Sequence, residues 1–214
     1  MAYPMPLGRT AVHPVQETSA ILPAYLEDSS GFRGQAERLF IPEDENGVAE
    51  VLLRAARERV PVTISGAGTG VTGGRVPQGG WLLSLEKFTR LDIQLGKAFA
   101  DAGVLLRDLQ AAAAATAQFY APDPTETMAC IGGTISTNAS GSRSFKYGAT
   151  RRHVLSIHAV LADGKILRVR RGEPVDFAVP SISIPRSTKN AAGYCLKPGM
   201  DWIDLLTGSE GTLG

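Results

Sequence analysis

Residues 65–74 read SGAGTGVTGG: five glycines, two threonines, one serine and no charged side chain, placed directly after the β-prone run VPVTI. Glycine loses the most backbone freedom on ordering and offers no side chain to bury, so such a stretch is a loop hung on the end of a strand. Within it, residues 68–73 (GTGVTG) fit G-x-G-x-x-G letter for letter. A dinucleotide fingerprint of that form must open straight into a helix, whose N-terminus supplies the dipole and free amides for a pyrophosphate. Here GRVPQGGWLLSL follows, in which Pro77 and Gly79-Gly80 break a helix and the next run is a strand. No acidic residue ends a second strand at the expected distance, and no Gly-Lys-Ser/Thr follows as a P-loop requires. The chemistry of an anion nest remains. Consecutive small residues let backbone N–H groups converge on one anion. Glycines admit positive φ and close approach of a ligand. On the loop alone, a plain glycine-rich surface loop is an equally good reading.

The 214 residues suffice for one large domain or two small ones. The net charge is +1 with acids and bases interspersed, which argues against a nucleic-acid partner. No apolar run reaches the roughly 20 residues of a membrane span. The start, MAYPMPLGRT, lacks the layout of a signal peptide. Cys130 and Cys195 lie far apart without a C-x-x-C, so two thiols in a cytoplasmic protein are expected and no metal site.

Residues 1–37 carry little periodicity and read as an irregular arm with a short helix near 20–27. RLFIP (38–42) reads as a strand. In EDENGVAEVLLRAARERV, Val48, Val51, Leu52 and Ala55 recur at helical spacing, and Glu50 and Arg54 stand four apart in the favourable order. Residues 61–64 and 81–85 are strands, and 97–103 a strand with a turn. Residues 104–117 form a helix with Leu106, Leu109 and Ala113 on one face. HVLSIHAVLADGKILRVR is a hairpin, with Asp163-Gly164 as its two-residue turn. Residues 180–214 look looser.

Two further small-residue stretches occur, GGTISTNASG (132–141) and GSEGTLG (208–214), with PDPTET (122–127) and KYG (146–148) around the first. Each alone is an ordinary turn or cap. Their order, together with YLEDSSGFRG (25–34), ADGKIL and STKNAAGY (187–194), resembles the flavin-binding domain of the FAD-linked oxidase superfamily. This is the vanillyl-alcohol-oxidase or PCMH-type domain, and the closest branch is that of D-lactate dehydrogenase and the glycolate oxidase flavoprotein subunit. The likeness runs from about residue 25 to the end.

The resemblance implies roles position by position. Gly66, Ala67, Gly68, Thr69 and Gly70, with the Ser65 hydroxyl, would hold the FAD pyrophosphate. Pro122, Asp123 and the turn at Thr127 and Met128 would line the cofactor. Gly132, Gly133, Thr137, Asn138, Ala139, Ser140 and Gly141 would pack against the flavin and ribityl chain. Glu210, Gly211, Thr212 and Leu213 would lie near the adenosine end. Some members attach FAD through a histidine in the first loop; Thr69 stands in that region with no histidine nearby, which implies non-covalent FAD. The implied function is oxidation of a small 2-hydroxy acid by hydride transfer to flavin N5, with an unspecified electron acceptor and a possible homo- or hetero-oligomer. TISTNASG followed by KYG also resembles alkylglycerone phosphate synthases, and a non-catalytic FAD-binding subunit is a further alternative.

The fold expected is α+β in two subdomains. The first is a small β-α-β-β unit over about 38–92. The second is a mostly antiparallel sheet with flanking helices over about 93–214, and FAD lies between them. The family's C-terminal substrate domain, which carries most of the substrate-binding groups, is absent, so the chain reads as truncated and inactive alone. With a sheet edge left open, residues 205–214 are expected to be poorly packed or paired with another chain. His158 reads as a structural residue, His153 as a weak candidate ligand contact, and His13 as uninformative. Arg168, Arg170 and Arg171 read as the solvated face of a strand. Asp123 and Glu126 are explained by a prolyl loop and a cap as well as by proton transfer. No catalytic residue is identified.

Overall fold

The structure is a computed structural model that describes residues 14–180, 182, 191 and 193–214. His13 and residues 187–190 and 192 of the STKNAAGY stretch lie outside the described residues.

The first layer is a four-stranded sheet of β1 (Gln16–Thr18), β2 (Arg38–Ile41), β4 (Trp81–Ser84) and β3 (Val62–Ser65), in that spatial order. Strands β2 and β3 run parallel to β4 on either side of it, while β1 pairs antiparallel with β2. Helix α1 (Glu45–Glu58) is the crossover between β2 and β3. It starts where the Asp44 carboxylate accepts the Gly47 N–H at 2.9 Å and ends at Arg59 in the left-handed region. Its Val48, Val51 and Ala55 pack on Phe40, Trp81 and Leu83 of one sheet face; Leu39, Ile41 and Leu82 of the other face pack on Ile21, Tyr25 and Ala36. Thus the arm is not irregular throughout. Residues 16–18 extend the sheet, and Glu17 ties β1 to Arg38 at 2.5 Å and to Arg54 at 2.8 Å.

Among the described residues, the antiparallel part consists of two separate hairpins rather than one sheet. Strand β5 (Leu91–Gln94), which the sequence did not reveal, pairs with β6 (Lys97–Ala100). This hairpin straddles the expected boundary at 92/93. Its apolar side packs on α2 (Leu106–Ala115) through Leu106 and Leu109. Strands β7 (Ser156–Val160) and β8 (Ile166–Arg170) form the second hairpin. Its turn is one residue longer than expected. Leu161 pairs with Lys165, and Gly164 closes the loop with its N–H on the Leu161 carbonyl and φ of +76°. A type I turn with a left-handed third residue has this geometry. Leu53 of α1 lies against that turn, since a Cβ on Gly164 would stand 2.5 Å from it.

Two short helices follow the small-residue stretches: α3 (Ile131–Ser136) and α4 (Ser144–Tyr147). The last, α5 (Trp202–Leu206), is capped by Asp201, whose carboxylate accepts the Asp204 N–H at 2.8 Å. The expectation of a loose C-terminal segment is overturned over 203–209. Ile203, Leu205, Leu206, Thr207 and Ser209 are buried, and Ile203 and Leu206 share a core with Val154 and Val169. The reason is a cation that the sequence placed on a solvated face. Arg171 bonds Asp201 at 2.9 Å, Asp204 at 2.8 Å and the Arg151 carbonyl at 2.6 Å, and so clamps α5 to β8. Arg168 likewise pairs with Glu45 of α1.

Candidate functional site

The glycine loop leaves the carboxyl end of β3 in the parallel part of the sheet, the edge where open α/β sheets hold ligands. Ser65 is buried and its carbonyl accepts the Leu85 N–H at 3.1 Å, so the loop starts from a fixed point. Among the described residues, none of the amides of residues 66–72 meets a hydrogen-bond acceptor. Unpaired amides in a row are the donor set of an anion nest. The carbonyl side of the loop is occupied by Arg75. Its guanidinium donates to Gly66 O at 2.7 Å, to Ser65 Oγ at 3.3 Å, to Glu27 O at 3.0 and 2.8 Å, and to Ala24 O. A Cβ on Gly68 would stand 2.4 Å from the central guanidinium carbon, and Gly68 holds φ of +76°. Burial pulls the Arg75 pKa down, with Asp28 the largest opposing influence. Beside the loop, Asp28 Oδ1 accepts from Ser30 N at 2.9 Å and from Ser30 Oγ, while its buried Oδ2 finds no donor among the described residues.

The second stretch arrives through Cys130, the N-cap of α3. A Cβ on Gly66 would stand 2.6 Å from its Sγ, and one on Gly133 3.2 Å. At the other end of α3, Thr137 Oγ1 bonds the Gly133 carbonyl at 2.9 Å, and Asn138 is buried with φ of +46° and accepts Arg151 N–H at 3.0 Å. The Ala139 carbonyl accepts from Thr150 twice, at 3.1 and 2.8 Å. Ser140 and Gly141 lead away toward residues 122–124.

The third stretch closes on the second and touches the first. Gly208 N–H and Glu210 N–H donate to the carbonyls of Ile135 and Ser136 at 3.0 and 2.8 Å. Glu210, with φ of +55°, puts Oε2 3.9 Å from where a Cβ on Gly74 would be. Gly211 follows with φ of +71°. Thr212 Oγ1 bonds Ser209 O at 2.6 Å and Tyr194 OH at 2.5 Å, and Leu213 packs toward Ile203. The fold therefore gathers three segments, 65–74, 130–141 and 208–214, that are far apart along the chain.

A cavity of about 370 Å³ opens beside the first loop and Cys130, lined by Gly66, Ala67, Leu85, Glu86, Asp108 and Cys130 among others and by no residue of the third stretch. The Glu86 carboxylate there accepts from Ser84 Oγ at 3.0 Å and from Tyr25 OH at 2.6 Å, and that hydrogen bond, with burial, raises the Tyr25 pKa to about 12.

The segment 122–128 stands apart. Asp123 lines a second cavity of about 250 Å³ with Gln110, Phe119, Tyr120 and Arg143. Its carboxylate is held by Gln110 at 3.2 Å, Ser142 at 2.8 Å and Arg143 at 3.5 Å. Pro122 is buried. A Cβ on Gly141 would stand 1.5 Å from the Asp123 carbonyl oxygen, so what Gly141 admits is this strand of backbone. The Thr127 carbonyl accepts Arg107 N–H at 3.0 Å, and Met128 is exposed with its N–H on Glu126 at 2.7 Å. His153 Nε2 is 3.0 Å from the Tyr147 carbonyl, and His158 lies 3.8 Å from Glu45, its pKa lowered by burial and by Arg168. The sequence reading missed Arg75, Glu86 and Asp108. Only Arg75 left a signal, as the first charge after the fifteen uncharged residues 60–74.

The comparisons with known proteins agree with this geometry. Over 175 residues the chain is 39% identical to a D-lactate dehydrogenase of Archaeoglobus fulgidus, covering 80% of this chain and 35% of that protein. Over 199 residues it is 34% identical to the glycolate oxidase subunit GlcD of Escherichia coli, covering 91% of this chain and 36% of the relative. The chain thus spans about a third of the length of these curated relatives. In fold it is similar to 6-hydroxy-D-nicotine oxidase of Arthrobacter nicotinovorans, with a TM-score of 0.65 at 16% identity over 73% of this chain and 36% of the other. It is similar also to chitooligosaccharide oxidase, with a TM-score of 0.67 at 15% identity over 73% and 35%. The family described as FAD binding domain matches residues 36–170, and on that match, with the loop, the convergent segments and the relatives, the chain belongs to the FAD binding domain family.

Proposed function

We propose that this chain is the cofactor-holding part of a flavoprotein oxidoreductase acting on a small 2-hydroxy acid of the D-lactate or glycolate kind. The carrying observation is the row of unpaired amides over residues 66–72, on a loop that Cys130 abuts at Gly66 and Glu210 approaches at Gly74. The relatives named as a D-lactate dehydrogenase and a glycolate oxidase subunit support the substrate class.

The residues fit FAD. Gly66, Ala67, Gly68, Thr69 and Gly70 offer N–H donors for the two phosphates, and Ser65 anchors them to β3. Asp28 Oδ2, lacking a donor, suits a ligand hydroxyl. Gly132, Gly133, Thr137, Asn138 and Ala139 form a wall of small side chains, with Glu210–Leu213 as its far end. Pro122, Asp123, Thr127 and Met128 would line the cofactor, and Ser140 and Gly141 would extend the wall to where Gly141 abuts the Asp123 backbone. The chemistry FAD supplies when bound is acceptance of a hydride at N5 from the substrate carbon. The binding is non-covalent, since Thr69 and its neighbours offer no nucleophilic ring nitrogen. The cation for the substrate carboxylate and the base for its hydroxyl lie outside these motifs. We further place FAD between two subdomains and the protein in the cytoplasm as one subunit of an assembly. Among the described residues no helix is long and apolar enough to cross a membrane.

The test is made on the full-length gene product. Flavin absorbance bands that survive desalting, leave with acid precipitation and bleach anaerobically with D-lactate or glycolate are expected. A full-length protein that is colourless and binds no added FAD overturns the cofactor assignment to these residues. One that keeps its flavin but is bleached by no 2-hydroxy acid overturns the substrate class alone.

A further inference from the structure

Resting on the reading that residues 66–70 hold the FAD pyrophosphate, we propose that Arg75 is the positioning residue that sets the loop's selectivity for a phosphorylated flavin. It does so as a cation bonded to carbonyls rather than to a carboxylate, on the carbonyl side of the nest.

The guanidinium makes five hydrogen bonds, all to carbonyl or hydroxyl oxygens: Gly66 O, Ser65 Oγ, Ala24 O and twice Glu27 O. No carboxylate pairs with it among the described residues. Its donors are saturated, so it is not itself a phosphate ligand. Its effect passes through the loop in two ways. First, a peptide unit is planar and trans, so its carbonyl and its N–H point in opposite directions. With the Gly66 carbonyl drawn to Arg75, the N–H of Ala67 points away from it, and Gly66 and Ala67 both line the larger cavity. Second, the charge stays. Arginine does not lose its proton at neutral pH, and the half-buried guanidinium of Arg75 is screened less than one at an open surface. The dipoles and the Arg75 charge therefore act in one direction on an anion held by the loop, and Arg75 offsets the Asp28 carboxylate that stands 3.6 Å from where a Cβ on Gly70 would be. The bare Gly68 is what admits the guanidinium, since any side chain there would overlap it.

An uncharged flavin gains nothing from this field, which gives the test its readout. The full-length protein is freed of flavin, and dissociation constants for FAD and for riboflavin, which lacks the pyrophosphate, are measured by flavin fluorescence at low and moderate salt. Removing the positive charge behind the loop is expected to cost FAD on the order of tenfold or more in affinity for Arg75→Met. Riboflavin affinity is expected to be unchanged. Arg75→Lys, which keeps the charge and loses the fork, is expected to retain the wild-type ratio of FAD to riboflavin affinity. Equal losses for FAD and riboflavin in Arg75→Met, or no loss, overturn the proposal. If Arg75→Met does not fold, the lysine variant decides: a ratio that falls with the charge kept refutes the electrostatic role. A wild-type protein that binds neither flavin refutes instead the reading on which the proposal rests.

Discussion

Replacing Gly141 by alanine tests whether the segment 122–124 and the small-residue wall form one packed unit. The added Cβ would stand 1.5 Å from the Asp123 carbonyl oxygen, 2.2 Å from its carbon and 2.7 Å from Pro124 N. An ordinary carbon–oxygen contact is about 3.4 Å, so one backbone must retreat by about 2 Å. Neither has room to do so freely. Asp123 is fastened by Gln110, Ser142 and Arg143, Pro122 and Pro124 are buried, and Gly141 N–H is held by Ser144 Oγ at 2.8 Å. Overpacking of this kind costs about 1–3 kcal/mol, and each hydrogen bond lost adds about 1 kcal/mol, for a total near 3 kcal/mol. In a chain of this size that lowers Tm by about 6–12 °C. Thermal unfolding followed by far-UV circular dichroism reads it out. Gly132→Ala is the graded control, because its Cβ would meet the methyl of Ala102 at 2.8 Å and the Ala102 carbonyl oxygen at 3.1 Å rather than a carbonyl at 1.5 Å, and a smaller fall is expected. A Gly141→Ala protein that melts within about 2 °C of wild type would refute the close approach of these two backbones.

Ile203→Ala empties a fully buried position in the core shared with Val154, Val169 and Leu206, at a cost of about 3 kcal/mol; an unchanged Tm would show the C-terminal helix to be unpacked. Arg171→Met removes the clamp on Asp201 and Asp204, and acid unfolding is the assay. Burial raises the Asp201 pKa, but the N–H groups of Gly172 and Asp204 and the charge of Arg171 outweigh it, leaving the group below its ordinary value. A carboxyl depressed in the folded state contributes stability above the ordinary aspartate value of about 3.9 and loses it as pH falls through the lower folded value. Wild type is therefore expected to resist acid further than Arg171→Met, and coincident acid transitions would contradict the clamp.

What the sequence made legible were the elements whose own residues decide them. Helix α1 has an acidic cap and apolar residues at helical spacing, and α2 has Leu106, Leu109 and Ala113 on one face; both are long enough for a pattern to show. The hidden elements depend on partners far along the chain. Strand β1 is three residues on a sheet edge, and β2, its partner, lies some twenty residues later. Helix α3 is IGGTIS, two glycines and three β-branched residues, a poor helix by propensity. It forms because Cys130 packs against Gly66 at one end while Gly208 and Glu210 satisfy carbonyls at the other. The tail is fixed by Arg171 bonding the buried Asp201 and Asp204, and no local pattern announces a residue thirty positions away. The order of the motifs carried the family and the meeting of the three segments. It did not carry Arg75, whose role depends on carbonyls of the arm that fold back over it.

Composition also hides which glycines face a ligand. Gly66, Gly132, Gly141 and Gly208 are bare because the chain's own atoms fill the space: Cys130, Ala102, Asp123 and Arg151 stand 2.6, 2.8, 1.5 and 2.9 Å from the missing carbons. Gly68 and Gly73 have positive φ as a further reason. Gly70 has neither excuse. Its φ is not in the left-handed region, and the nearest atom to a Cβ there is Asp28 Oδ2 at an ordinary 3.6 Å. The protein alone would accept alanine at this position, and loss of unfolded-state freedom would stabilise it by about 0.4–1 kcal/mol where the backbone is compatible. Its glycine is then explained by something that the chain does not contain, approaching the loop where amides 66–72 are unpaired. Gly70→Ala is accordingly expected to melt at or slightly above the wild-type temperature without flavin, yet to bind FAD on the order of tenfold more weakly, as one misfitted methylene-sized group does in a close-fitting site. Isothermal titration with FAD beside a melting curve of the flavin-free protein separates the two. A variant that melts normally and binds FAD as wild type does would remove Gly70 from the pyrophosphate site, and a variant that melts several degrees lower would show a packing role that the geometry denies.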